Sequence, residues 1–261
     1  MLIAVNRMHR CATQAPSLSN RLPGRDARLP GACGFSLIEL MVVVAIIAVL
    51  VAILVIPALG ARMRGNETSA IAALRTISTQ QENFRGTAAI DQDGNGIGEF
   101  GLLGELTGHV VPRRSSASKP ISPRMIDSSF QPDATGFAIR YGFYFLVYLP
   151  VDDVGGTGTD ADLGGDATTP GPILGDAAGI ACQQYYWCAY AWPSGRNTGE
   201  RAFFIDHSGV LYQTHGDAVK YAGTTSVPEA NAAYGAEVYT SHVAGAAGNT
   251  GNDGNVWTVV Q

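Results

Sequence analysis

The amino-acid sequence predicts an α+β protein in which one long N-terminal helix precedes an antiparallel β-sheet head. Two observations carry this prediction. The run 40–59 contains no charged and no polar side chain, and apolar residues then recur at helical spacing as far as Phe84. Beyond Gly86, short segments with apolar residues at every second position are separated by turn residues, a pattern that is typical of antiparallel strands.

The run 40–59 is long enough to cross a membrane. Twenty residues rise about 30 Å in an α-helix, which is the thickness of the hydrocarbon core of a bilayer. The residues are apolar on every side of the helix, so no side is suited to water. We therefore predict a membrane-spanning helix over 35–59 that continues outside the membrane over 60–86.

Glu39 is an acidic residue that directly precedes this apolar segment. An unpaired carboxylate in lipid costs up to about 2.5–3.5 kcal/mol, and the helix offers no cation before Arg62. Cleavage between Gly34 and Phe35 would create a cationic N-terminal amine, and the amine of a neighbouring subunit could then pair with Glu39. The simpler alternative is an ordinary single-span anchor whose Glu39 lies among the lipid headgroups.

The stretch 34–40, GFSLIEL, and the apolar run after it resemble the class III signal of type IV prepilins and type II secretion pseudopilins. The resemblance implies that a prepilin peptidase cuts between Gly34 and Phe35 and methylates the new amine, and that Glu39 directs assembly. It also implies a type IV pilin-like fold, other pilin or pseudopilin subunits as partners, and an assembly platform in the bacterial inner membrane. Pro57 corresponds to the proline that bends such helices, one residue later than usual.

Charge is divided unevenly along the chain and predicts its orientation. Residues 1–34 carry five arginines and one acidic residue, a net charge of +4, whereas residues 35–261 carry 12 basic and 21 acidic side chains, a net charge of −9. Because positively charged segments stay on the cytoplasmic side of a membrane, we predict a cytoplasmic leader 1–34 and a periplasmic or extracellular head 87–261. An acidic head argues against nucleic-acid binding, which needs a basic surface.

Strands and loops of the head follow from alternation and turn residues. Apolar residues at every second position predict a strand from Phe137 to Leu149, and the sequence 206–209, DHSG, predicts a hairpin turn. Further strands are predicted over 185–192, 202–205, 210–212 and 256–260, a short helix over 228–234, and loops over 115–132 and 152–179. The second loop is rich in glycine and aspartate and contains neither lysine nor arginine.

Oxygen-bearing residues alternate in the segment that follows the helix, with Gly96 at the position of a sharp turn. This spacing matches the first part of a calcium-binding loop, positions 1, 3, 5, 7 and 9. The candidate ligands are Asp91, Asp93, Asn95, the carbonyl of Ile97, and Glu99. Leu102 stands where such loops have a bidentate glutamate, so water or another segment, such as the loop 152–179, must complete the site. Calcium is the predicted cofactor, and a solvated glycine turn is the alternative.

Cys182 and Cys188 are the cysteines that remain if the leader is removed. In an exported protein, two cysteines this close in sequence can form a disulfide where the backbone bends between them. We expect that bridge, and the alternative is a pair of buried free thiols.

Three classes of function are compatible with these features. The first is a structural subunit, a pseudopilin or minor pilin, of a type II secretion pseudopilus or a type IV pilus-like filament. The second is a filament-tip adhesin or substrate-binding module, for which the aromatic residues of 185–192 could bind a ligand. An exported enzyme has the least support, because the triad letters of 206–208, DHS, are neighbours in one turn and cannot face each other. We therefore predict a structural subunit without enzymatic activity.

Overall fold

The computed structural model describes residues 34–113, 119–153, 156–159, 172–215, 221–236, 238–239, 243 and 250–261. The leader residues 1–33 and half of the predicted acidic loop 152–179, namely residues 154–155 and 160–171, lie outside the described residues. The chain divides into two compact units, Met1–Leu50 and Val51–Gln261, and the first helix contributes residues to both.

Helix α1, Leu37–Gly86, is 50 residues long and ends at the predicted glycine. Pro57 lies inside it and removes one backbone hydrogen bond, because proline has no N–H to donate. Arg85 is a cation in the last turn, where it interacts favourably with the negative end of the helix dipole. Within the described part of the chain, α1 is the one helix that is long and apolar enough to cross a membrane.

Seven strands among the described residues form one antiparallel sheet. They are β1 (Ala138–Arg140), β2 (Phe143–Pro150), β3 (Thr157–Gly158), β4 (Cys188–Pro193), β5 (Phe203–Asp206), β6 (Leu211–Thr214) and β7 (Trp257–Val259). Their order across the sheet is β1-β2-β4-β5-β6-β7, and β3 pairs with the C-terminal end of β2. This sheet, with α1 packed on it, confirms the α+β class.

The single strand predicted from Phe137 to Leu149 is two strands joined by a tight turn. Tyr141 and Gly142 have φ values of 54° and 73°, as the two central residues of a type I′ hairpin turn require. Apolar residues continue at every second position through this turn, so the alternation gives no sign that the strand ends there. The prediction of one strand is therefore wrong, although β2 keeps the predicted alternation from Phe143 onwards.

The predicted hairpin between β5 and β6 is confirmed. The backbone N–H of Gly209 donates to the carbonyl of Asp206 over 2.9 Å, and Gly209 has a φ of 73°. The predicted last strand corresponds to β7. The short helix predicted over 228–234 is wrong, because residues 230–233 form turns and Tyr234 pairs with Val243 in an isolated bridge.

Two further α-helices and one 3₁₀-helix were not predicted. The α-helices are α2 (Leu103–Leu106) and α3 (Ala177–Cys182), and the 3₁₀-helix is Ser128–Phe130; each is too short to show helical periodicity. A turn at 183–185 follows α3, so the next strand begins at Cys188 and not at Tyr185 as predicted.

The C-terminal half of α1 packs on one face of the sheet. Phe143, Phe145, Val147 and Leu149 of β2 all point to this face, because alternate residues of a strand share a side. The main residues of this core are Leu74, Ile77 and Phe84 from α1, Ala189 and Ala191 from β4, and Phe203 and Ile205 from β5. The apolar residues predicted at helical spacing as far as Phe84 thus form the buried side of α1, and Ile71 on the same side is partly buried.

The opposite face of the sheet is aromatic and is covered by residues of 221–236 and 238–239. The hydroxyl groups of Tyr148 and Tyr190 donate to the carbonyls of Pro228 and Ala230 over 2.7 and 3.0 Å. Their polar ends are therefore satisfied by backbone, and their rings pack in the core. This packing accounts for most of the aromatic residues of 185–192, of which Tyr185 remains 56% exposed.

Glu67 connects α1 to the sheet through its buried carboxylate, and the residue as a whole is only 4% exposed. Its Oε1 accepts hydrogen bonds from the backbone N–H groups of Glu200 and Arg201 over 3.0 and 3.2 Å. Its Oε2 accepts two more from the guanidinium group of Arg201. The carboxylate is thus fully paired within the chain.

Candidate functional site

An exposed segment leads into α1. Gly34, Phe35 and Ser36 precede the helix, and the backbone N–H of Leu40 donates to the carbonyl of Ser36 over 3.1 Å. Gly34 is exposed, and Phe35 is 79% exposed. The Gly34–Phe35 peptide bond, the predicted cleavage site, therefore lies outside the hydrogen-bonded helix.

Glu39 lies in the first turn of α1, and its side chain is exposed. Among the described residues, no ion pair involves it. The next cation along α1 is Arg62, 23 residues further on, which corresponds to about 35 Å along a helix. A cation that pairs with Glu39 cannot therefore come from α1 itself.

Apolar side chains cover every side of the first half of α1. The large apolar residues described between Phe35 and Leu59 are 44–79% exposed, so the described chain does not cover them. Burial of apolar surface contributes about 25 cal/mol per Å², and an apolar surface that is both large and contiguous marks a protein or membrane contact. This half of the helix therefore requires lipid or other protein around it.

The prokaryotic N-terminal methylation motif matches residues 30–55. The match contains the predicted cleavage site, Glu39 and most of the exposed apolar run. The chain carries the prepilin-type cleavage and methylation signal. This prepilin signal supports a type IV pilin- or pseudopilin-like subunit held by one membrane helix, and suggests a structural subunit rather than an enzyme. No curated protein and no solved structure matches the chain.

The segment Asp91–Glu99 is a tight loop organised around carboxylate and amide oxygens. The Asp91 carboxylate accepts from the backbone N–H groups of Asn95 and Gly96, both over 3.0 Å. Desolvation acts to raise the pKa of Asp91, but these hydrogen bonds and that from the N–H of Gly94 hold it below its usual value. Gly94 and Gly96 have φ values of 73° and 82°, a conformation that glycine adopts without strain.

Glu99 is the buried member of this loop, with no exposed surface. Its Oε1 accepts from the backbone N–H of Gln92 over 2.8 Å, and its Oε2 has no hydrogen-bond partner among the described residues. Burial raises the pKa of Glu99 to about 7, although the hydrogen bond from Gln92 and the charge of Arg113 act in the opposite direction. Arg113 is itself fully buried and pairs with Glu105.

The structure brings together three of the five predicted calcium ligands. One carboxylate oxygen from each of Asp91, Asp93 and Glu99 lies within 4.8 Å of the other two. The side-chain oxygen of Asn95 accepts from the backbone N–H of Ile97 over 2.7 Å. Calcium binding by any of the five residues stays a prediction.

Gln184 contributes to this loop and was not predicted. Its Nε2 donates to Oδ2 of Asp93 over 3.2 Å, from the turn that follows α3. The neighbouring Gln183 accepts from Nε2 of Gln92 over 2.9 Å. These contacts span 91 residues of sequence, so no local pattern could have indicated them.

Cys182 and Cys188 are free thiols in the structure. Cys182 ends α3 and is partly exposed, whereas Cys188 begins β4 and is buried on the aromatic face, with its thiol 3.8 Å from the carbonyl of Ala230. Burial raises the pKa of both thiols, that of Cys188 well above its usual value. The structure therefore does not contain the expected disulfide, and its formation in the exported protein stays a prediction.

Proposed function

We propose that this chain is a pseudopilin or minor pilin that assembles into a type II secretion pseudopilus or a type IV pilus-like filament. The observation that carries the proposal is the coincidence of the methylation motif, residues 30–55, with the exposed apolar half of α1. The segment that a prepilin peptidase would release from its leader is also the segment whose apolar side chains the described residues leave exposed.

In the proposed mechanism, a prepilin peptidase cuts between Gly34 and Phe35 at the cytoplasmic face of the inner membrane and methylates the new amine. The apolar helices then leave the lipid at an inner-membrane assembly platform and pack against each other. Glu39 of one subunit pairs with the Phe35 amine of its neighbour, so each apolar helix enters the filament without an uncompensated charge. The acidic head lies on the outer side of the membrane and then on the filament surface.

Substitution of Glu39 tests this mechanism. Glu39→Gln and Glu39→Ala remove the charge but leave the cleavage site, so membrane insertion and cleavage should continue. Assembly should fail, because an amine left unpaired in a desolvated interface costs about 3–5 kcal/mol. Cleavage is measured by the mass of the cell-associated protein, and assembly by its amount in sheared or pelleted filaments.

Glu82→Gln is the matched control, because Glu82 is also on α1 but is an exposed residue paired with Arg85. It should assemble as the wild type does. If Glu39→Ala is cleaved and still assembles at the wild-type level, the proposed docking role of Glu39 is wrong. A simple anchored head would then describe the protein better.

A further inference from the structure

Three carboxylates that converge in the head are not used by the proposed assembly mechanism. They belong to Asp91, Asp93 and Glu99, and one oxygen of each lies within 4.8 Å of the other two. Calcium binds oxygen ligands at about 2.3–2.6 Å, so two ligands of one ion are separated by at most roughly twice that distance. The three oxygens therefore have a spacing that one calcium ion can bridge.

Glu99 supplies an independent observation that points to a cation. Its side chain is fully buried, and its Oε2 has no donor among the described residues. Buried carboxylate oxygens are normally paired, because an unpaired one loses its hydration without compensation. Arg113 does not donate to this oxygen: its Nε lies 3.4 Å from Oε1 of Glu105, its Nη2 donates to the carbonyl of Phe100 over 2.7 Å, and its Nη1 has no hydrogen-bond partner among the described residues.

We propose that Asp91, Asp93 and Glu99 bind one calcium ion in the head. All three are hard oxygen donors, and the irregular, partly exposed loop suits the flexible coordination of calcium better than the octahedral geometry of magnesium. The Asn95 side chain, the Ile97 carbonyl and water complete the coordination sphere. Because the loop has only three carboxylates and no glutamate at position 12, the expected dissociation constant is about 10⁻⁴–10⁻³ M, as in extracellular modules.

The ion would connect the end of α1 to the rest of the head. The loop begins five residues after Gly86, the last residue of α1. It contacts Gln184 through Asp93 and Gln183 through Gln92. Gln183 in turn donates from Nε2 to the carbonyl of Pro150, the last residue of β2, over 2.7 Å. Calcium therefore stabilises the junction between helix and sheet, and this role does not depend on filament assembly.

Thermal unfolding of the full-length protein in detergent micelles tests the proposal. After treatment with a chelator, the protein is heated with about 5 mM calcium or with the same concentration of magnesium, which exceeds the expected dissociation constant for calcium. Because about 5 mM calcium exceeds a dissociation constant of about 10⁻⁴–10⁻³ M, calcium should raise the Tm of a head of this size by about 2–9 °C. Calorimetric titration with calcium alone should give one site per chain. The absence of a calcium-dependent rise, or an equal rise with magnesium, would overturn the proposal.

Three substitutions test the ligands. Asp91→Asn and Glu99→Gln should abolish the calcium-dependent rise in Tm, and Asp93→Asn should reduce or abolish it. Asp93 is exposed, so its variant should fold even if a substitution at the buried Glu99 does not. Asp133→Asn is the control, because Asp133 is an exposed residue that accepts hydrogen bonds within another loop, and it should keep the full rise. A rise that persists in Asp91→Asn and Asp93→Asn would place the ion elsewhere and refute the site.

Discussion

Replacement of Glu67 by alanine should weaken the attachment of α1 to the sheet more than any exposed substitution on the same helix. The Glu67 side chain is 5% exposed, and that of Arg201 is 36% exposed. Truncation removes the acceptor for the backbone N–H groups of Glu200 and Arg201 and the counter-charge for the guanidinium. The loss therefore combines unpaired backbone donors with an unpaired charge.

The magnitude follows from this burial. Removal of one partner from a buried ion pair costs about 3–5 kcal/mol. Because water can reach part of Arg201, the lower end applies, and the free energy of unfolding should fall by about 3 kcal/mol. For a head of this size, each kcal/mol shifts the Tm by about 2–4 °C, so the Tm should fall by about 6–12 °C.

The assay is thermal and urea unfolding of the full-length protein in detergent micelles, with Glu82→Ala as the control. Glu82 also pairs with an arginine of α1, but both side chains are exposed, so its loss should cost about 0.2–0.5 kcal/mol. Glu67→Gln should lie between the two, since its amide oxygen can still accept from a backbone N–H. If Glu67→Ala is no less stable than Glu82→Ala, the assignment of Glu67 as the attachment point is incorrect.

Three other predictions concern processing, the thiols and the β1–β2 turn. The mature protein should begin at Phe35 with a methylated amine, and an intact peptide across the preceding bond in a mass spectrum would contradict this. If the expected disulfide does not form and both thiols stay free, as they are in the structure, Cys182 should react with iodoacetamide faster than Cys188, because burial raises the pKa of Cys188 well above its usual value. Two thiols that react only after reduction would indicate the disulfide instead. Gly142→Ala should cost about 1–2 kcal/mol in urea unfolding, since φ is positive there, whereas Gly195→Ala, where an added Cβ meets nothing within 4 Å, should have a smaller effect.

The sequence was sufficient for features whose environment is uniform along a segment. In the run 40–59 every position is apolar, and from Leu74 to Phe84 an apolar residue recurs at each helical turn. Composition predicts the first feature and period predicts the second. The alternation from Phe143 to Leu149 does the same for β2. The calcium hypothesis also began with spacing, because Asp91, Asp93 and Glu99 are close enough in sequence for one loop to bring them together.

Features that depend on distant pairs could not be predicted in this way. Glu67 and Arg201 are separated by 134 residues. In the sequence, neither residue can be distinguished from an ordinary charged residue on the surface. The β1–β2 turn was missed for a different reason: Tyr141 is apolar enough to continue the alternation, and only its backbone φ distinguishes it from a strand residue. Local pattern thus predicts which face of an element is buried but not what it is buried against.

Two glutamates on α1 differ in where their partners come from, and this difference bears on assembly. Glu67 is buried, and four donors from its own chain satisfy its carboxylate. Glu39 lies in the apolar half of the same helix, where the described chain offers it no ion pair. Once that half is surrounded by lipid or protein, the Glu39 carboxylate needs a cation as much as Glu67 needs Arg201. Since Arg62 is too far along the helix to supply it, we propose that the amine that cleavage would create at Phe35 of a neighbouring subunit supplies this charge.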